Sequence, residues 1–273
     1  MDASPDFPRQ SRVPVFNLPG VVTASIALLV AIHAARALVL PDEWDIRLFD
    51  ALALLPVRWT LWIDPDRAQA VIDAAAKVEV PGYAEAVETY IRVFASDPEP
   101  KLWTFATYAL LHGSWLHVIF NSVWLAAFGA PVARRCGAWR YGLIGLAGTV
   151  AGAALHVAID PLSTAPLVGA SAGVSALMAA AARFAFQPPA VGYGSQPWQL
   201  PPRRPPETLP ELLRNRTAVT FLVIWLVTNL LFGIIALPFG SEGTSIAWDA
   251  HLGGFAAGFF LFPFLDPLSR SPR

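Results

Sequence analysis

Long apolar runs alternate along the chain with shorter polar stretches. Six runs near twenty residues long lie at 18–40, 112–132, 140–159, 168–186, 216–238 and 247–265. Each is about the length a helix needs to cross roughly 30 Å of hydrocarbon. None is uninterrupted leucine, and the third carries Gly142, Gly145, Gly148 and Gly152, small residues that let membrane helices approach closely. The pattern predicts an all-α, polytopic membrane protein of six transmembrane helices packed against one another. A secretory signal is the alternative for the first run, because Arg9 and Arg12 precede it and Ala34 and Ala35 lie near its end. The apolar part of a signal is usually about 7–15 residues long, so a retained anchor over 18–40 is the expectation.

The stretches between the runs set the organisation. Residues 1–17 read as a cytoplasmic tail, 41–101 as a long extracytoplasmic, membrane-associated loop, 102–265 as the core, and 266–273 as a second cytoplasmic tail. Within the loop, Ala84, Val87, Tyr90, Ile91 and Phe94 recur at helical spacing, and residues 52–63 carry Trp59 and Trp62 among apolar neighbours. An interfacial helical segment fits that pattern. The prolines crowded into 187–210 exclude a continuous helix and mark a cytoplasmic linker.

Charge then orients the spans. Arg9 and Arg12, the group Arg134, Arg135 and Arg140, the group Arg203, Arg204, Arg214 and Arg216, and finally Arg270 and Arg273 all fall on one side of a six-span arrangement. Short cytoplasmic loops retain Lys and Arg, so both termini are expected in the cytoplasm. The loop at 41–101 also holds basic residues, but its acidic residues outnumber them two to one, and long loops obey the rule weakly. Composition agrees: 55% of residues are hydrophobic, 14% are charged and mean hydropathy is +0.49, which excludes an ordinary soluble domain. A net charge of −1 gives no field for nucleic acid. The single cysteine, Cys136, excludes an intrachain disulfide and reads as a passive thiol.

Polar groups inside spans are costly and by default point to function. They are His117 and Asn121 in the second span, His156 at the end of the third, Ser171 and Ser175 in the fourth, and His251 in the sixth. His33 and Arg36, near the outer end of the first span, fit snorkelling, and His156 has no evident partner. Spans two, four and six run in the same direction, so Ser171, His251, His117 and Asn121 share one layer, the last two on one helix face at i and i+4. A serine hydroxyl is a poor nucleophile until an imidazole takes its proton, and the oxyanion that follows needs preorganised donors. Ser171 and His251 suit the first task. His117, the Asn121 amide and the Ser171 backbone N–H suit the second. Asp249, two residues from His251, is too near it in sequence to complete a triad. Taken singly, each group has a plainer explanation, as helix packing, back-bonding or a proton relay. A proton-coupled transporter built on these histidines would be expected to have internal repeats or broken helices, and no convincing pair stands in the sequence.

The segment from His117 to Asn121 resembles the HxxxN element of the rhomboid family, Gly169-Ala170-Ser171 its GxS element, and Ala250-His251-Leu252-Gly253-Gly254 through Gly258 its AHxxGxxxG element. The resemblance covers roughly residues 100–265. It implies the six-helix rhomboid fold, a water-accessible cavity opening to the outer face, and serine endopeptidase cleavage of membrane-anchored proteins in or near their transmembrane segments. Gly254 and Gly258 are then the positions at which the His helix approaches the Ser helix, and His112 resembles a structural histidine. The implied partners are transmembrane protein substrates and the lipid bilayer, not nucleic acid. No metal or organic cofactor is implied, and the expected location is the cell (inner) membrane as a multi-pass protein. Three positions depart from the pattern: Ala172 where Gly commonly follows the serine, Ser175 where many members carry an aromatic that packs on the imidazole, and Trp103-Thr104 in place of a Trp-Arg pair. With these departures, a non-catalytic rhomboid-like protein that binds transmembrane segments is the alternative.

Overall fold

In the computed structural model, which describes residues 18–77, 81–96, 99–187, 204–234 and 247–269, the described part of every apolar run is mainly helical; residues 235–238, the end of the fifth expected span, lie outside the described residues. Helix α1 spans Gly20–Leu38. The second run is one rod: α7 (Trp115–Trp124), a π-helical turn at Leu125–Gly129 and α8 (Ala130–Cys136). Helices α9 (Ala138–Ile159), α10 (Ser171–Ala185), α12 (Arg216–Ile234) and α13 (Trp248–Leu265) complete the six. By length and composition, α1, the α7–α8 rod and α9 can each cross a bilayer, whereas α10 is apolar but shorter, at 15 residues. The expected tail at 1–17, linker residues 188–203 and the final residues 270–273 lie outside the described residues.

Helix α10 sits at the centre. Ala172 through Arg183 are all buried, because α9 and α13 close on it from two sides. Glycine makes the approach possible. A methyl group added at Gly152 on α9 would lie 2.5 Å from the Ala250 carbonyl oxygen and 2.6 Å from the Ala172 methyl. On α13, methyls at Gly254 and Gly258 would overlap the backbone of Ala172 and Ala176. Without side chains between them, the three backbones pack at dispersion distance, which is how membrane helices associate when lipid is as apolar as the core.

The fourth span was expected over 168–186, but its helix begins only at Ser171. Gly169 has φ +114, in the left-handed region, and the chain reaches it from Asp160 without regular helix. Fifteen residues of α-helix rise about 22 Å, short of the roughly 30 Å of a hydrocarbon core. The approach segment is tied to protein: Leu54 and Leu167 form an antiparallel bridge, and the Gly169 N–H donates to the Tyr108 carbonyl at 3.1 Å.

The loop at 41–101 is more than a surface-hugging strip. After α2 (Asp42–Leu52), helices α3 (Pro56–Ile63), α4 (Ala68–Ala75) and α5 (Tyr83–Ser96) enclose a core of their own, in which Val57, Leu61 and Val71 meet Val87, Ile91 and Phe94. Short α6 (Thr104–Thr107) follows. The anchoring differs from a Trp-Arg pair. Trp103 Nε1 donates to the Ala51 carbonyl at 2.8 Å, while Asp50 receives Arg58 at 2.6 Å and Lys101 at 2.7 Å. Arg36 does not snorkel; it forms a two-point ion pair with Asp45 and donates to the His112 carbonyl at 3.2 Å. His33 likewise is buried, edge-on to the Trp115 ring at 4.7 Å between centroids.

On the other side of the helices, Arg135 pairs with buried Asp266 through two 2.9 Å contacts. The linker ends earlier than its prolines suggest, because α11 (Leu209–Arg214) begins with Pro210 in its first turn, where the missing N–H costs nothing.

Two outcomes follow from this packing. Gly258→Ala should destabilise the protein by roughly 1–3 kcal/mol, because backbone rather than a flexible side chain must move; thermal denaturation in detergent measures it. Gly142→Ala, where nothing lies within 4 Å of the added methyl, should be neutral or slightly stabilising. Burial by itself raises the Asp50 carboxyl, but the hydrogen bonds from Lys101 and Arg58 outweigh this and hold it below its ordinary range. A depressed carboxylate stabilises the fold above its unfolded value and ceases to do so as pH falls through the folded one. Hydrogen-exchange protection of residues 42–63 should therefore fall at acid pH, and Asp50→Asn should flatten that dependence.

Candidate active site

Ser171 is the first residue of α10, preceded by the Gly169 turn and by Ala170 at the N-cap. A helix start leaves its first N–H groups without intrahelical acceptors, so the backbone donors of Ser171, Ala172 and Gly173 are directed out of the N-terminal end of α10. They also carry the positive end of the helix dipole.

Helix α13 brings His251 onto this point one turn from its own start. His251 Nε2 lies 2.7 Å from Ser171 Oγ. The contact depends on the glycine seam: Gly254, one turn below His251, rests on the Ala172 backbone next to Ser171. Ala172, the first departure from the family pattern, fits because its methyl points at α9, where Gly152 leaves room for it.

Helix α7 supplies the other two expected residues. Its N-cap Ser114 accepts the His117 N–H at 3.2 Å and so fixes the helix start. His117 and Asn121, one turn apart, both face the Gly169 turn. A methyl group at Gly169 would lie 2.6 Å from His117 Nε2 and 3.7 Å from Asn121 Nδ2. Only glycine leaves that space open. Asn121 Nδ2 is buried without a hydrogen-bond partner among the described residues, and a buried donor without an acceptor is costly, on the order of 1–3 kcal/mol. The four expected residues thus converge: Ser171 and His251 in direct contact, His117 and Asn121 across the turn that precedes the serine.

Two partnerships were not legible in the sequence. His251 Nδ1 lies 2.8 Å from Asn229 Oδ1 on α12, so the imidazole is held from both sides. Unlike Asn121, Asn229 has no histidine one turn away to single it out; the available signal is that it is the sole carboxamide in 216–234. His156 does have a partner, since its Nδ1 lies 2.9 Å and 3.1 Å from the two carboxylate oxygens of Asp249. Asp249 also accepts the Ala250 N–H at 2.7 Å. That commitment, as well as its sequence position, keeps Asp249 away from His251. Ser175 is buried one turn below Ser171 and offers no ring to the imidazole.

The arrangement can move a proton from a hydroxyl to an imidazole and can donate hydrogen bonds to a charge forming beside Gly169. Among the described residues no group of three or more His, Cys, Asp or Glu side chains is placed to hold a metal ion.

Comparison with known proteins agrees with the fold. A family model described as "Rhomboid domain" matches residues 99–266. Rhomboid protease GlpG of Enterobacter sp. is 30% identical over 173 residues, covering 63% of this chain and 51% of that protein. Rhomboid protease GlpG of Pectobacterium atrosepticum is 30% identical over 197 residues, covering 72% and 60%. Rhomboid-related protein 2 of Mus musculus is 28% identical over 186 residues, covering 66% and 55%. The chain therefore spans between half and three fifths of the length of these relatives. With the family domain covering more than half of its residues, this chain belongs to the rhomboid family of integral membrane proteins.

Proposed function

We propose that the protein is an intramembrane serine endopeptidase that cleaves membrane-anchored proteins in or near their transmembrane segments. The observation that carries this reading is the 2.7 Å contact between Ser171 Oγ and His251 Nε2, made beside a buried amide donor, Asn121 Nδ2, that bonds none of the described residues. An orphan donor is expensive unless an acceptor arrives during the reaction, which is the property required of an oxyanion site.

In this mechanism Ser171 Oγ attacks the scissile carbonyl carbon as its proton passes to His251 Nε2. The carbonyl oxygen becomes an oxyanion and accepts hydrogen bonds from Asn121 Nδ2, His117 and the Ser171 backbone N–H. Collapse of the tetrahedral species breaks the C–N bond, and the departing amine takes the proton from Nε2. Water then repeats the sequence on the acyl-enzyme and returns Ser171 to its resting state. The distribution of basic residues supports placement in the cell membrane with both termini cytoplasmic and the site toward the outer face. The names of the bacterial relatives, rhomboid proteases, support the same activity.

Purified protein in detergent or liposomes should cleave a single-span substrate and should be labelled at Ser171 by a fluorophosphonate. Ser171→Ala and His251→Ala should each abolish both, while Asn121→Ala should lower kcat about 10²- to 10³-fold, as expected for loss of one oxyanion donor. Cleavage that persists in Ser171→Ala removes the serine from the mechanism. Binding of the substrate with neither cleavage nor labelling leaves the non-catalytic reading in its place.

A further inference from the structure

An imidazole that acts as a base must present a lone pair, not an N–H, to its hydroxyl. In a neutral ring this means that the proton sits on the other nitrogen and that something holds it there. In this chain the other nitrogen of His251 meets Asn229 Oδ1 at 2.8 Å. A carboxamide can present either its oxygen or its nitrogen, so the choice has to be fixed from elsewhere. Here the Trp248 backbone carbonyl lies 2.9 Å from Asn229 Nδ2. A carbonyl only accepts, so the amide nitrogen is committed to Trp248 and the oxygen is left facing His251. Asn229 is itself buried, 6% exposed, which leaves little water to compete.

The position of Asn229 is equally constrained. It stands on the α12 face that also carries Phe221 and Trp225, each one turn apart. Trp225 stacks on Phe255 of α13 at 4.1 Å between centroids, and Phe221 packs on Phe186 at 5.0 Å. One turn beyond, a methyl group at Gly233 would strike the Trp248 ring. The positions 225, 229 and 233 seat α12 on α13, and the carboxamide among them lands on His251.

We infer that Asn229 is the positioning residue for His251, accepting the Nδ1 proton and thereby holding the Nε2 lone pair on Ser171. It supplies to the dyad the orientation that Ser175 cannot give, and it does so with an amide dipole in place of a carboxylate charge. The inference rests on the protease reading proposed above and assigns to α12 a part in setting the base.

The test uses the full chain in detergent. Nitrogen-15 histidine NMR of the wild type should find His251 protonated at Nδ1 and unprotonated at Nε2. Asn229→Leu, similar in volume but without an acceptor, should give a mixture of tautomers. It should slow fluorophosphonate labelling of Ser171 and lower kcat by about 10²-fold, near the lower end of what a general base contributes, with KM changed by less than about twofold because binding is untouched. Asn229→Asp keeps the acceptor and should restore most of the labelling rate. The inference is overturned if wild-type His251 carries its proton on Nε2. It is also overturned if Asn229→Leu keeps both the wild-type tautomer and the wild-type labelling rate, or if Asn229→Asp is as slow as Asn229→Leu. Should Asn229→Leu fail to fold, the wild-type tautomer decides the question without it. Wild-type protein that is never labelled at Ser171 overturns the protease reading, whereas labelled wild type with an indifferent Asn229→Leu overturns only the role of Asn229.

Discussion

Three backbones in near contact hold this structure together. Helix α10 is gripped by α9 and α13 so closely that Gly152, Gly254 and Gly258 have no room for even a methyl group. In a bilayer, apolar side chains gain little by leaving lipid for protein, so association depends on how many atoms can be brought to van der Waals distance. Removing side chains at the crossing points increases that number. The same removal sets the distance between Ser171 and His251, since each lies within a turn of a glycine contact. Packing and chemistry are here one constraint.

Much of this was legible because membrane helices advertise themselves. A run of apolar residues has few alternatives to a helix when no water is present to satisfy the backbone, so the spans could be placed within a few residues. The four polar positions stood out against that background, and parallel span directions were enough to bring them to one level. Partnerships between elements were harder. His156 and Asp249 lie 93 positions apart and Asn229 and His251 lie 22 apart, and no local spacing rule links them. Arg36 illustrates the same gap: from sequence it is a long side chain free to reach water, and only the fold reveals Asp45 and the His112 carbonyl beside it. The start of α10 was placed too early because an apolar run does not record a left-handed glycine.

The segment at 41–101 adds a different physical regime. Its helices bury Val57, Val71 and Ile91 against one another, so it gains stability as a small water-facing domain would, by removing apolar area from solvent. It also braces the site. Thr60 Oγ1 donates to the Pro161 carbonyl, and the Leu54 backbone pairs with Leu167, both in the stretch that leads to Ser171.

That stretch, from Asp160 to Ala170, carries irregular backbone between two apolar helices, where peptide groups shielded from water need partners. Its N–H and C=O groups find partners on Leu54 and Tyr108, and its last turn fits only because Gly169 has no side chain. A connection between helices ordinarily tolerates insertions and drift. This one cannot lengthen without pulling the serine off its level, nor exchange its glycine without pushing His117 aside. Although it would be drawn as a loop, it should vary as slowly as the core.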